Sequence, residues 1–169
     1  MIEIQKYNRI IVANWKLNGS TSFLSEFLRN LELVKKPNNN SLTVICPPFP
    51  FINQILKEGF LVGAQDCSMY AQGAYTGETS TKILKDIFCK FCVIGHSERR
   101  NLFGDTDEII SQKAIRCLEE KIIPILCIGE SLEQKNNKET KKVLINQIAR
   151  SIPKEASKHN LILALISIY

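Results

Sequence analysis

His96 and Lys16 are the residues of this sequence whose types and positions best suit acid–base chemistry or the stabilisation of negative charge. His96 separates the apolar run FCVIG (91–95) from SERR (97–100), a segment with the composition of a helix start. The positive end of such a helix disfavours imidazolium and would hold the ring neutral. Position alone leaves alternatives open: His96 could be the hydrogen-bond partner of a loop carbonyl, and Lys16 could be a solvated surface charge.

Six continuous apolar runs are the elements that would position these residues. The runs do not alternate between apolar and polar residues, which is typical of parallel strands that are covered on both faces. They span residues 9–14, 42–46, 60–65, 91–95, 122–129 and 161–168.

Amphipathic segments alternate with these runs and predict helices. The clearest are 20–34, where Phe23, Phe27 and Leu31 recur at helical spacing, and 105–121, which opens with a capping-box pattern. Weaker candidates are 50–58, 79–88 and 138–151. Five β–α units followed by a lone strand predict a parallel sheet, either open and doubly wound or closed into a barrel.

The first β–α turn reads NWKLNGS and lacks the G-x-G-x-x-G pattern of dinucleotide-binding folds. The sequence also contains no P-loop motif, so a nucleotide-binding enzyme is not expected. In a barrel, the side chains at the carboxyl ends of the strands meet the substrate. Besides His96 and Lys16, these positions carry Asn14, Gln65, Asp66, Cys127 and Glu130.

The composition is that of one globular domain, with 169 residues, 44% hydrophobic residues and a net charge of +5. No apolar run approaches the length of a membrane span, and the N-terminal segment carries charges where a signal peptide is apolar. We therefore expect a cytoplasmic location and no membrane partner. Basic runs interleaved with aromatic residues are lacking too, so no nucleic-acid partner is expected.

The six cysteines include one C-x-x-C pair, formed by Cys89 and Cys92. A single pair without a second pair or a histidine pair is a weak indicator of zinc. We therefore predict buried or half-buried structural thiols in a reducing compartment, and no metal site. His159 lies in a polar loop and is assigned no role.

Five motifs together resemble those of the triosephosphate isomerase family, in the family's order and at its spacing. They are NWKLNG after the first run, GAYTGETS (73–80), VIGHSERR (93–100), FGDTDEII (103–110) and PILCIGE (124–130), and the resemblance extends from about residue 9 to residue 169. It implies the α/β fold of a TIM (β/α)8 barrel. Residues 1–169 would form an incomplete single domain of this kind, with strands one to six and about five helices.

The resemblance also implies a reaction and roles for individual residues. The reaction is the interconversion of dihydroxyacetone phosphate and glyceraldehyde 3-phosphate through an enediolate, without a metal or organic cofactor. His96 would be the electrophile that polarises the carbonyl and shuttles protons. Lys16 would offset the charge of phosphate and enediolate, and Asn14 would help to hold the substrate oxygen.

Further residues are assigned by the same resemblance. Ser97 and Glu98 would support the residues that touch substrate, with Glu98 paired near Lys16. Thr76 would lie in the loop that reaches the neighbouring active site in a homodimer. Asp66 departs from the asparagine of many relatives, which leaves the hydrogen bonds of that loop open.

In the family, the strand that includes Tyr169 continues into the glutamate that acts as general base and into a hinged lid. We therefore expect this chain alone to be inactive. The alternatives are a degenerate, non-catalytic remnant or partner-binding fragment and, less favoured, an intact barrel that binds another phosphosugar.

Overall fold

Six parallel strands form one continuous sheet in a computed structural model that describes residues 2–34 and 40–166. The strands are β1 (Arg9–Asn14), β2 (Ser41–Cys46), β3 (Leu61–Ala64), β4 (Phe91–Ile94), β5 (Ile123–Ile128) and β6 (Ile162–Leu165). Each strand pairs in parallel with the next along the chain, so all six carboxyl ends lie at the same edge of a curled half-barrel. The predicted α/β class with sequential parallel strands is confirmed.

Seven α-helices connect the strands within the described residues, two more than the five that periodicity predicts. The additional helices, α4 and α6, have seven and five residues; the segment SERR (97–100) indicates the start of α4, whereas the sequence does not predict α6. The helices are α1 (Thr21–Val34), α2 (Ile52–Lys57), α3 (Thr81–Asp86), α4 (Ser97–Phe103), α5 (Asp107–Glu119), α6 (Leu132–Asn136) and α7 (Thr140–Ser151). No helix in the described part of the chain is long and apolar enough to cross a membrane.

Alternate residues of the central strands β2 to β5 contribute to two separate apolar layers. In β4, Cys92 and Ile94 pack with helix residues such as Ala114 in the layer between sheet and helices. Phe91 and Val93 belong to a second layer, whose fully buried members are all strand residues and which therefore lies on the concave face of the sheet. Because β4 and β5 are buried on both faces, they read in sequence as continuous apolar runs.

The edge strands of the described sheet, β1 and β6, are only partly covered. Their concave-face residues, among them Val12 and Ile162, are half-buried against the inner layer. Their opposite-face residues are more accessible, with Ile11 51% and Leu165 62% exposed. The apolar residues of both strands thus meet water mainly on the face that helices cover elsewhere in the sheet. The predicted strand 161–168 extends past the described residues at its C-terminal end. The expectation for Tyr169 also falls outside them.

Phe91→Ala should lower the free energy of unfolding by about 3–5 kcal/mol, because Phe91 is fully buried in the inner layer and its removal leaves a cavity. Phe88→Ala is the matched control, since Phe88 is 68% exposed and its truncation should change stability by less than about 0.5 kcal/mol. Urea unfolding followed by circular dichroism measures both. Equal losses of unfolding free energy in the two variants would contradict the placement of Phe91 in the inner layer.

Candidate active site

A cavity of about 400 Å³ opens at the carboxyl edge of the sheet. It is lined by four of the residues that the sequence singles out: Asn14, Lys16, His96 and Glu98. Ser97 begins α4 next to His96 but does not line the cavity, and Thr76 lies on an exposed loop. The structure thus gathers residues from loops that are about 80 positions apart in sequence.

The backbone of Lys16 adopts a left-handed conformation that hydrogen bonds from neighbouring loops stabilise. Its φ of +54° falls in the left-handed region, which is unusual for a residue with a long side chain. The side chain of Asn14 accepts a hydrogen bond from the Lys16 amide at 2.9 Å. From the next strands, Gln65 Nε2 donates to the carbonyl oxygens of Lys16 at 3.0 Å and Cys46 at 2.9 Å. These bonds fix the β1 loop on its neighbours and give Asn14 a role in positioning the lysine.

The importance of Gln65 could not be recognised in the sequence. Its position at the end of the third apolar run was the only signal, and Asp66, Cys127 and Glu130 carry the same signal. Cys127 instead lines an apolar trough on the concave face, which shares Asn14 and His96 with the cavity. Glu130 is buried and accepts a hydrogen bond from Thr140.

Lys16 and Glu98 form an ion pair in which Lys16 Nζ lies 2.7 Å from Glu98 Oε1. The hydrogen bond from Lys16 lowers the pKa of Glu98, which therefore stays ionised. Both side chains are about half exposed, and such pairs contribute little to stability. The effect of the pair is to orient the lysine ammonium at the cavity wall, as the sequence predicts for Glu98.

His96 occupies the N-cap of α4, where its Nδ1 accepts a hydrogen bond from the Glu98 amide at 3.3 Å. A ring nitrogen that accepts this bond carries no proton, which in a neutral ring leaves the hydrogen on Nε2. Glu98 Oε2 also lies 3.3 Å from the same Nδ1. Burial lowers the pKa of His96 below its ordinary value of 6.5, Glu98 opposes this effect and Lys16 adds to it. The helix N-terminus and the burial of the ring both favour a neutral imidazole that can donate from Nε2.

Asp66 lines the cavity and belongs to a partly buried ionic network. Its carboxylate oxygens each lie 2.9 Å from Lys113 Nζ, and Oδ2 lies 2.8 Å from Arg99 Nε. Asp105 pairs with the same lysine at 2.8 Å. Burial raises the pKa of Asp66 to about 6, against the opposing influence of Lys113. The carboxylate at this position thus has two cationic partners.

The arrangement can stabilise negative charge that develops on a bound small molecule. The cavity wall presents an ammonium group and a neutral imidazole whose tautomer is a hydrogen-bond donor. Donors that are fixed before the reaction lower the barrier to forming an oxyanion. Both groups are held by partners within the protein, so little reorganisation is needed.

Comparison with known proteins relates the whole described sheet to one family. A sequence model described as triosephosphate isomerase matches residues 9–165. Similar proteins named triosephosphate isomerase include one from Aquifex aeolicus, 39% identical over 145 residues that cover 83% of this chain and 58% of the relative. Another, from Nitrosococcus oceani, is 36% identical over 82% of this chain and 57% of the relative.

A solved structure of the same family has the same fold as this chain. The crystal structure of triosephosphate isomerase from Bartonella henselae superposes with a TM-score of 0.84 at 29% identity, over 92% of this chain and 66% of that one. This similarity confirms the barrel class predicted from the sequence. The chain spans a little under 60% of the length of the curated relatives described above.

We predict that His96 titrates with a midpoint below 6.5 in an NMR pH titration of the ring, because burial disfavours its charged form. Below pH 6.5 the unfolded state then binds more protons than the folded state, so the contribution of this group to stability declines as the pH falls. Glu98→Gln should lower the midpoint further, since it removes the carboxylate that favours imidazolium.

Glu133→Gln serves as the control for charge removal, because Glu133 is exposed on α6. It should leave the His96 midpoint unchanged. A wild-type midpoint at or above 6.5, or a rise in Glu98→Gln, would contradict the described environment of the ring.

Proposed function

This chain belongs to the triosephosphate isomerase family, and we propose that it supplies the electrophilic half of an active site that interconverts dihydroxyacetone phosphate and glyceraldehyde 3-phosphate. The observation that carries the proposal is the neutral His96 at the N-cap of α4, in the same cavity wall as the Lys16–Glu98 pair. The reaction removes a proton from the carbon next to a carbonyl group. The carbonyl oxygen thereby gains negative charge and needs hydrogen-bond donors.

His96 is suited to that task because its Nε2 carries the hydrogen while Nδ1 is held by the backbone of α4. In the proposed mechanism Nε2 donates to the carbonyl oxygen of the substrate as the enediolate forms. The proton then moves between the two oxygens of the enediolate through the same ring. This exchange requires the ring to give up one proton and to take it back. A neutral imidazole suits such an exchange better than imidazolium does.

Lys16 would stabilise the negative charge of the phosphate and of the enediolate. Its ammonium is already placed by Glu98, and its backbone is placed by Asn14 and Gln65. We propose that Asn14 acts mainly by holding this loop, while also standing close enough to the cavity to meet the substrate oxygen. Ser97 supports the site only through its place at the start of α4.

The general base is expected outside the residues that the structure describes. The two carboxylates that line the cavity, Glu98 and Asp66, are both paired with cations and are poorly suited to abstract a proton from carbon. The relatives extend well beyond the matched segment, and we propose that the base and the phosphate-binding loops belong to that additional length. Residues 1–169 would then be part of one barrel domain rather than a complete one.

Residues 1–169 expressed alone should show no isomerisation of either triose phosphate above the buffer rate. A general base contributes on the order of 10²–10⁴-fold, and the phosphate contacts and lid of the family are expected to be lacking as well. A coupled assay with either substrate measures the rate. Turnover that His96→Gln abolishes would overturn this expectation.

A chimera tests whether the site itself is competent. Residues 1–166 of this chain are joined to the part of the Aquifex aeolicus relative that follows its aligned segment. We expect triosephosphate isomerase activity, and we expect His96→Gln to lower kcat by about 10²–10⁴-fold because the electrophile is lost. His159→Gln is the matched control, since His159 is exposed and does not line the cavity.

A folded chimera without activity would favour the alternative of a degenerate, non-catalytic chain. Equal losses from His96→Gln and His159→Gln would contradict the role given to His96. Circular dichroism and gel filtration establish folding before either conclusion is drawn.

We further propose that the loop carrying Thr76 mediates a homodimer. The loop is exposed, and the rings of Tyr70 and Tyr75 stack at 3.8 Å between centroids, which gives it a defined shape. In the chimera, Thr76→Arg should shift sedimentation towards the monomer, whereas Ser25→Arg on exposed α1 should not. An unchanged dimer in Thr76→Arg would contradict the proposed interface.

A cytoplasmic location fits the cysteines. All six are free and buried, as the sequence analysis predicts, and free thiols persist most readily in a reducing compartment.

A further inference from the structure

Three cysteine side chains from separate elements meet in the core, away from the cavity. Cys67 follows β3, Cys92 lies in β4 and Cys117 lies in α5. Their sulphur atoms all lie within 4.8 Å of one another, and Cys67 Sγ is 3.7 Å from Cys117 Sγ. Each residue is at most 3% exposed. Cys89, the partner of Cys92 in the C-x-x-C pair, is not part of this group, which we call the three-thiol cluster.

The spacing of the sulphur atoms matches that of three ligands around one metal ion. A disulfide requires about 2.05 Å between sulphur atoms, so the 3.7 Å distance leaves both thiols free. With metal–sulphur bonds of about 2.3 Å, a trigonal site places its sulphur atoms about 4 Å apart. The 3.7 Å separation between Cys67 and Cys117 is close to this value, and the other two separations are at most 4.8 Å.

The residues around the three-thiol cluster favour some metal ions over others. All three cysteines belong to the apolar layer between sheet and helices, together with Ile94, Ile110 and Ala114. Among the described residues, no histidine or carboxylate joins the three sulphur atoms in this group. Zinc in structural sites almost always takes four ligands, and hard cations prefer oxygen. Soft thiolate ligands without a fourth donor favour Cu(I).

We propose that Cys67, Cys92 and Cys117 bind a single soft, thiophilic monovalent cation of the Cu(I) type in a three-sulphur site. The thiol protons that are lost on binding pass to solvent, and no oxidation or reduction occurs. The site is independent of the isomerase proposal, because no sulphur of the cluster lines the cavity.

The groups near the cluster act on its thiols in both directions. Hydrogen bonds from Cys117 and Cys92 lower the pKa of Cys67, and the ammonium of Lys113 acts in the same direction. Hydrogen bonds within the cluster and burial raise the pKa of Cys92 and of Cys117. Because Lys113 is already paired with Asp66 and Asp105, the proposed site rests on the positions of the three sulphur atoms.

The test uses the full chain and Cu(I) itself as the probe. Because the cluster is enclosed, the ion is supplied during anaerobic refolding, in competition with a chromophoric Cu(I) chelator. We expect one Cu(I) per chain. Cys92→Ala should weaken binding by at least about 100-fold, since even outer partners of a metal site are worth 10–100-fold.

Cys89→Ala is the matched control, because it removes an equally buried cysteine outside the cluster and should leave the affinity unchanged. Equal weakening by the two variants would point to the C-x-x-C pair or to unfolded chain and would overturn the proposal. So would the absence of Cu(I) binding by the wild-type chain.

A second measurement does not depend on how the variants fold. X-ray absorption at the copper edge of the loaded wild-type chain should show three sulphur neighbours at one distance. Two sulphur neighbours, or a nitrogen or oxygen neighbour, would exclude the three-sulphur site.

Discussion

Parallel pairing of consecutive strands is the constraint on which the rest of this structure depends. Because each strand pairs with the next in the same direction, six loops that are remote in sequence emerge at one edge of the sheet. The residues after β1 and β4 therefore share a cavity, although about 80 positions separate them. The same pairing requires a covering layer on both faces of the central strands, which places one apolar layer under the helices and another on the concave face.

Sequence reasoning located the strands well because burial on both faces produces continuous apolar runs. It located α1, α5 and α7 because an apolar stripe repeats over at least twelve residues in each. The start of α4 was indicated by the segment SERR (97–100), whereas α6 was not recognised; both are short helices with side-chain caps. Ser131 and Gln134 form a reciprocal capping box at α6, whereas His96 caps α4 with a side chain that is not a usual cap.

Residue type and strand position alone left other roles open for His96 and Lys16, and the expectation that they act together came from the resemblance of five motifs to one family. Hydrogen-bond partners were not predictable, because they depend on how three neighbouring loops converge. Gln65 reaches across to two carbonyl groups, and Asp66 turns away to a lysine in α5; adjacent residues thus act in different places. The three-thiol cluster is likewise invisible in the sequence, where its members are 25 residues apart and the obvious pair is misleading.

The left-handed backbone of Lys16 has a thermodynamic consequence. A long, flexible side chain loses considerable conformational freedom when it is ordered by a ligand. Here the hydrogen bond that the Lys16 amide donates to Asn14 and the one that its carbonyl accepts from Gln65 restrict the backbone. The ion pair with Glu98 restricts the side chain before any ligand arrives. The entropy loss is incurred during folding rather than at binding, so an anionic molecule meets a charge that is already in place.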